Sequence, residues 1–287
     1  MGILAWYNSG GSHNVITEEP RDLMDDTKTR RAEFKKISEW GVKGIKVDFF
    51  QSDKDCVIRL YHEILRDAID YQLLVNFHGS TLPKGWERTY PHLVTSEAVR
   101  GCEAYIFDSR YPEFAPFHNT ILVFTRNVVG SMDYTPVAFS DNNYPHKTTF
   151  AHELALAVLF ESGIQHFADN YRSYLAQPGF VVDYLKQVPV VWDETRFVDG
   201  YPGEFAILAR RSGDTWYVSG INGLNDQRKM SFPVNFLVAD NCDVELITDG
   251  DGDRSFSRKA FTLAAEDELE VTMRPRGGFA AVIKPAS

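Results

Sequence analysis

From Gly41 to Phe50 the chain reads Gly-Val-Lys-Gly-Ile-Lys-Val-Asp-Phe-Phe, with charges set in the rhythm of a strand. Side chains alternate across a strand, so Ile45, Val47 and Phe49 share one face and Lys46 and Asp48 the other. A cation and a carboxylate thereby stand side by side. On a strand buried on both faces such charges are compensated or functional, a structural ion pair being the plain alternative. Two further carboxylates, Glu97 and Glu103, lie in the run Arg88–Glu103, on the loop beyond another strand. If Asp48 ends one strand and Glu103 lies beyond the end of another, both can project over one mouth, where such folds place their chemistry. Paired carboxylates across a pocket perform glycoside hydrolysis, one as nucleophile or base and the other protonating the leaving oxygen. Solvated loop charge is the competing reading for Glu97 and Glu103. His78, Arg88 and Asp133 could meet sugar hydroxyls or brace strand ends. Trp6 and Trp86 could stack on a sugar ring or fill a core. His146 and His152, six apart on a helix, miss the i, i+4 spacing of metal ligands and read as structural.

These residues need elements to hold them. Ile3–Tyr7 reads as a strand, followed by a loop rich in Gly, Ser and Asn over residues 8–14. Asp26–Trp40 has helical spacing, with Phe34, Ile37 and Trp40 on one face and Gly41 as its stop. Strand Ile45–Phe49 follows, then helix Asp55–Tyr71 with Ile58, Tyr61, Ile64, Leu65, Ala68 and Ile69 inward, then strand Leu73–Phe77. Alternation of this kind predicts a parallel sheet with right-handed crossovers. His92–Thr95, Gly130–Phe139 and Gly163–Ala168 are further strand candidates, Phe117–Val123 leads toward one of them, and His146–Phe160 is a helix. That makes six strands before residue 170, where a closed (β/α)8 barrel needs eight.

Beyond Thr195 the pattern becomes alternating strands: Glu204–Arg210, Thr215–Asn222, Lys229–Phe232, Asp243–Thr248, Ala260–Thr262, Glu268–Met273 and Gly278–Ile283. An antiparallel β-sandwich over 196–287, after an α/β domain over 1–195, is the expectation. Asp249-Gly-Asp-Gly-Asp253 has calcium-loop composition without the flanking helices or the acidic twelfth position, and reads as a hairpin turn.

At 287 residues, two domains are expected, and 44% hydrophobic residues can fill their cores. A net charge of −10 argues against nucleic acid or an anionic membrane as partner. Cys56, Cys102 and Cys242 form neither a disulfide framework nor a zinc cluster. No run is long and apolar enough to span a bilayer, and Met1–Leu4 lacks the flanks of a signal peptide.

Trp40–Phe49, Val75-Asn-Phe-His-Gly79, Arg88-Thr-Tyr-Pro91 with Glu97 and Glu103, and Gly130-Ser-Met-Asp-Tyr-Thr-Pro136 together resemble glycoside hydrolase family 97. The resemblance implies an N-terminal β-sandwich, a barrel and a C-terminal β-sandwich, of which this chain carries about strands 3 to 8 of the barrel and the last domain. The family's inverting members carry a glutamate base directly after the histidine of the fifth strand, where this chain has Gly79. Its retaining members carry an aspartate nucleophile at the end of the fourth strand, which corresponds to Asp48. The same match makes Glu103 the acid/base, Glu97 a ligand of a calcium ion, and Lys46, His78 and Arg88 substrate-binding. Lys46 on the same strand face would keep the nucleophile ionised, whereas Glu103 must be protonated as acid and ionised as base.

The implied activity is that of a retaining exo-α-galactosidase, with a β-L-arabinopyranosidase as nearest rival. A non-catalytic carbohydrate-binding or assembly portion is the alternative of another class; a metal-dependent hydrolase finds no HxH or HExxH here. One family calcium ligand is a glutamate of the N-terminal domain, so the set is incomplete in this chain. An oligosaccharide substrate, a second chain completing the barrel, and a bacterial periplasmic or secreted setting complete the expectations.

Overall fold

A computed structural model describes every residue except 1, 142, 235, 238–240, 265 and 287. The chain forms two compact units, the first of residues 1–100, 129–133 and 162–164, the second of 101–128, 134–161 and 165–287. The expected boundary at 195/196 falls inside the strand Glu194–Tyr201 of the second unit.

The first unit is parallel α/β. It runs β1 (Leu4–Asn8), α1 (Thr27–Glu39), β2 (Gly44–Asp48), α2 (Asp55–Asp70), β3 (Leu74–Phe77) and β4 (Leu93–Ser96), with the strands side by side in chain order. Ile45, Val47, Val75 and Phe77 are buried together with Phe34, Ile37, Ile64 and Leu65 of the helices, which is why the strands read as apolar runs. Register sets Asn8 opposite Asp48, Val47 opposite Phe77 and Phe77 opposite Ser96, so the carboxyl ends finish level.

Helix α1 starts where the Asp26 carboxylate accepts the Thr29 N–H at 2.8 Å and stops at Gly41, whose φ of 83° suits a residue without Cβ. Arg30, buried on α1, donates through Nε and Nη2 to Asp67 of α2 at 2.7 and 2.6 Å and joins the two helices. Two residues expected in the core lie outside it. Trp40 is 71% exposed because the helix has ended, and its ring carries the Lys36 ammonium at 5.2 Å; Ile69 is likewise exposed.

Two of the six expected strands are not strands. Of the segment 130–139 only Met132 makes a ladder contact, an isolated parallel bridge to Ser96. Thr135 and Val137 have φ of 56° and 68°, which breaks the pleat. Gly163 lies so close to Val94 that a Cβ there would stand 2.5 Å from the Val94 carbonyl oxygen, yet 163–168 forms no ladder. Phe117–Val123, expected on the approach to a strand, is largely helix.

The second unit begins with α3 (Ala104–Phe107), α4 (Tyr111–Leu122), α5 (Phe150–Leu159), α6 (Tyr171–Leu175) and α7 (Gly179–Gln187). Eight strands follow: β5 (Glu194–Tyr201), β6 (Phe205–Ser212), β7 (Thr215–Asn222), β8 (Arg228–Pro233), β9 (Asn241–Asp249), β10 (Phe256–Ala264), β11 (Glu268–Met273) and β12 (Gly278–Pro285). They form a six-stranded antiparallel sheet, β10-β9-β12-β7-β6-β5, and a two-stranded ribbon, β11-β8. One face of the large sheet packs Ile207, Val218 and Ile283 against Phe232, Leu269 and Val271 of the ribbon. The other packs Tyr217, Ile247 and Val282 against Leu154 and Val158 of α5 and Val181 of α7. Helix α5 is buried throughout, and it rests so closely on β12 that a Cβ at Gly278 would stand 2.8 Å from the His152 Cα. Residues 250–255 make a hairpin turn closed by Gly250 N–H to the Ser255 carbonyl, and the Asp249 carboxylate accepts from Thr149, Arg274 and Gly278, consistent with a structural turn. No helix among the described residues is long and apolar enough to cross a membrane.

Candidate active site

Strand β2 ends at Asp48 because Phe49 turns to a φ of 65°. The reversal sends Phe50 into the core, where its ring stacks on Tyr61 at 3.9 Å, and leaves Phe49 half-buried with its edge toward Trp6 at 5.8 Å. The strand alternation sets Phe49 on one face with Ile45 and Val47; the left-handed turn instead gives the buried place beside them to Phe50. Asp48, 9% exposed, is held by two donors. Its Oδ1 accepts the Phe49 N–H at 2.7 Å and its Oδ2 the Trp6 indole N–H at 3.3 Å. The loop after β1 braces the same turn, since Asn14 Nδ2 donates to the Phe49 carbonyl at 2.8 Å and Ser9 N–H to the Asp48 carbonyl at 2.8 Å. Trp6 thus serves neither as a plain core residue nor, in this contact, as a stacking face: it orients the carboxylate.

Opposite Asp48 stands Gly79. A Cβ at this position would lie 2.8 Å from the Phe49 nitrogen and 3.2 Å from Asp48 Oδ1, and its φ of 51° is itself left-handed. Its N–H donates to Glu97 Oε2 at 2.7 Å, tying the end of β3 to the end of β4. Replacing Gly79 with alanine is expected to cost about 1–3 kcal/mol from backbone strain, before any displacement of Asp48. Urea unfolding of the variant checks this, and an unchanged midpoint would contradict the close approach.

His78 is 1% exposed. Its Nε2 lies 2.7 Å from Asp133 Oδ2, which also accepts from Asn76 Nδ2 at 2.5 Å, and its Nδ1 faces Glu97 Oε1 at 3.7 Å. Burial lowers the imidazole pKa and the Lys46 charge lowers it further, yet the hydrogen bond and charge of Asp133, with Glu97 behind them, outweigh both and raise it. The ring is buried between two carboxylates, which favour its protonated form. Lys46 is half-buried on the same strand face as Asp48, as the alternation required.

Glu103 is half-buried at the N-cap of α3, in the second unit. Arg88 is exposed on a 3₁₀ turn, Trp86–Arg88, that packs through Trp86 against Tyr61 and His62 of α2. His152 is fully buried with its Nε2 3.0 Å from Asn119 Nδ2, and burial pushes its pKa down to about 3; it is structural. Asn76 escaped the sequence reading, although it lies two residues before His78 on the same side of β3.

Two family models match the chain, one described as "Glycoside hydrolase 97" over residues 11–99 and one as "Glycosyl-hydrolase 97 C-terminal, oligomerisation" over 191–284. A Streptomyces bingchenggensis protein named "Probable retaining alpha-galactosidase" is 41% identical over 263 residues, covering 91% of this chain. The "Retaining alpha-galactosidase" of Bacteroides thetaiotaomicron is 32% identical over 261 residues, covering 86%. The chain spans 39% of the length of each of these relatives. A solved structure of a beta-arabinopyranosidase, 37% identical, superposes with a TM-score of 0.92 over 98% of this chain and 45% of its own. With both family models met in order and the match running nearly from end to end, the chain belongs to glycoside hydrolase family 97.

Proposed function

We propose that this chain carries the reacting groups of a retaining exo-glycosidase, an α-galactosidase, with Asp48 as nucleophile and Glu103 as acid/base. The observation that carries the reading is the Asp48 carboxylate, fixed by two donors at a strand end, facing a glycine where an inverting enzyme would need its base. Asp48 attacks the anomeric carbon while Glu103 gives its proton to the departing glycosidic oxygen. A β-galactosyl ester and the free aglycone result. Glu103, now ionised, takes a proton from water as that water attacks the same carbon, the ester bond breaks and α-galactose leaves with its configuration retained. Lys46 supplies positive charge on the strand face of the nucleophile, and His78 with Asp133 and Glu97 braces the floor beneath it. The parallel order of β1 to β4, with Met132 bridged to Ser96, supports reading this unit as strands 3 onward of a (β/α)8 barrel, and the ribbon-covered sheet as the family's C-terminal β-sandwich.

The test is turnover of p-nitrophenyl α-galactoside followed by NMR. First-formed α-galactose supports the reading; first-formed β-galactose overturns it, and no turnover by a folded chain overturns the claim that this polypeptide suffices. A β-L-arabinopyranosidase is the second reading, favoured by the similarity to the beta-arabinopyranosidase structure. Arabinopyranose lacks galactose's hydroxymethyl group, so the ratio of the two aryl glycosides' kcat/KM separates the readings.

Calcium belongs to the same proposal. The ion takes six to eight oxygens, and Glu97, at the end of β4, is the carboxylate of the first unit that would hold it, as one member of a set the described residues of that unit do not complete. Bound there, it would fix sugar hydroxyls by charge. At free calcium near 100 times Kd the intact protein should gain about 2.7 kcal/mol, seen as a higher Tm. Glu97→Gln should abolish most of that gain, and an equal rise in the variant would remove Glu97 from the site.

An oligosaccharide is the proposed substrate. Assembly with further copies is proposed from the match of 191–284 to the family's C-terminal oligomerisation domain. A bacterial periplasmic or secreted setting is proposed on family membership.

A further inference from the structure

Glu103 introduces a helix of four residues, far too short to hold itself in place. The side chains beside Glu103 are gripped from outside the helix. Tyr105 is the buried grip: its ring lies on the His146 ring at 3.8 Å and edges Tyr111 at 4.9 Å, while its carbonyl accepts the Tyr144 N–H at 3.2 Å. The next carbonyl, of Ile106, accepts Asn143 Nδ2 at 2.7 Å. The α3 turn is thus bolted to the segment 143–148.

That segment is in turn gathered by one guanidinium. Arg254, on the turn between β9 and β10, donates through Nη2 to both oxygens of Asp141 at 3.0 and 3.2 Å and to the His146 carbonyl at 2.9 Å. Its Nη1 reaches the Thr148 carbonyl at 3.0 Å, and its plane sits over Phe150. Asp141 accepts the His146 N–H at 2.9 Å and lies 3.1 Å from its Nδ1, so the residue on which Tyr105 rests is tied through its backbone and one ring nitrogen. We infer that Arg254 of the C-terminal sheet is a positioning residue for Glu103, acting through Asp141, His146 and Tyr105. This rests on Glu103 being the acid/base.

The reaction offers a readout that general loss of structure would not move. An alkoxide leaving group needs the proton of Glu103, whereas 2,4-dinitrophenolate departs without it. In the intact enzyme, Arg254→Ala should lower kcat/KM for methyl α-galactoside on the order of 10²-fold, the scale of a small misplacement of a reacting group, and leave 2,4-dinitrophenyl α-galactoside about unchanged. His146→Phe, which keeps a ring beneath Tyr105 but loses the tie to Asp141, is the second arm should the first variant fold poorly. Turnover of the activated substrate certifies each variant as folded. Glu103→Ala sets the scale. If it lowers both substrates equally, the acid/base assignment fails. If it separates them while Arg254→Ala and His146→Phe lower both equally or neither, the positioning role is overturned.

Discussion

Asp48→Gly should lower turnover of an aryl α-galactoside by roughly 10⁴-fold or more, the scale on which removing a catalytic nucleophile acts in other enzymes, and sodium azide should restore part of it as β-galactosyl azide. The expectation follows from the geometry of one carboxylate. Asp48 is nearly buried, and Trp6 and the Phe49 N–H hold its two oxygens in a fixed orientation. Glycine removes the carboxylate and leaves space of about its size, open to azide. Azide attacking from that space displaces the aglycone in one step, so its product is inverted relative to the substrate. An α-configured azide, or a variant retaining more than a few per cent of activity, would show that another group is the nucleophile. Trp6→Phe is the companion variant: it keeps an aromatic ring while removing one of the two donors, and should fall between wild type and Asp48→Gly.

Asp48 stands out in the sequence because an alternating charge on an otherwise apolar strand is a conflict that physics must resolve. The four parallel strands and their two long helices were legible for the same reason, as apolar runs and a 3.6-residue period. Thr215–Asn222 and Glu268–Met273 coincide with their expected spans because the alternation is clean between turn residues. What stayed hidden depends on single dihedrals and distant partners. Nothing in Phe49-Phe50 says which ring turns inward; that is settled by a left-handed residue. Segment 130–139 carries Val, Tyr, Thr and Phe like a strand, yet positive φ at Thr135 and Val137 prevents a ladder. Strand β5 went unseen because its residues are mostly half-buried or exposed and give no apolar rhythm. The Asn76, His78 and Asp133 cluster joins residues 57 and 55 positions apart, beyond the reach of any local pattern.

That cluster carries the second large expectation. Asp133→Ala should destabilise the protein by about 3–5 kcal/mol, the cost of leaving one member of a buried charge pair behind, and lower Tm on the order of 10 °C. Asp133 is 1% exposed, and its truncation strands both the His78 imidazole and the Asn76 amide. The sign of the pH dependence follows from the raised His78 pKa. A group whose pKa is higher folded than unfolded contributes stability in full below its unfolded value, about 6.5, and loses that contribution as pH rises through its folded value. Asp133→Asn keeps an acceptor for the imidazole but removes the charge that sustains its protonation. Its deficit relative to wild type should therefore be largest in acid, below about pH 6, and shrink as pH rises and His78 becomes neutral in both proteins. Urea unfolding of the two proteins from about pH 5 to 9 measures that difference, and the range brackets the ordinary histidine value. A deficit constant across the range would mean that hydrogen-bond geometry alone joins His78 to Asp133; one that grows with pH would mean that His78 is held neutral, and the brace beneath Asp48 would then carry a net negative charge rather than a compensated one.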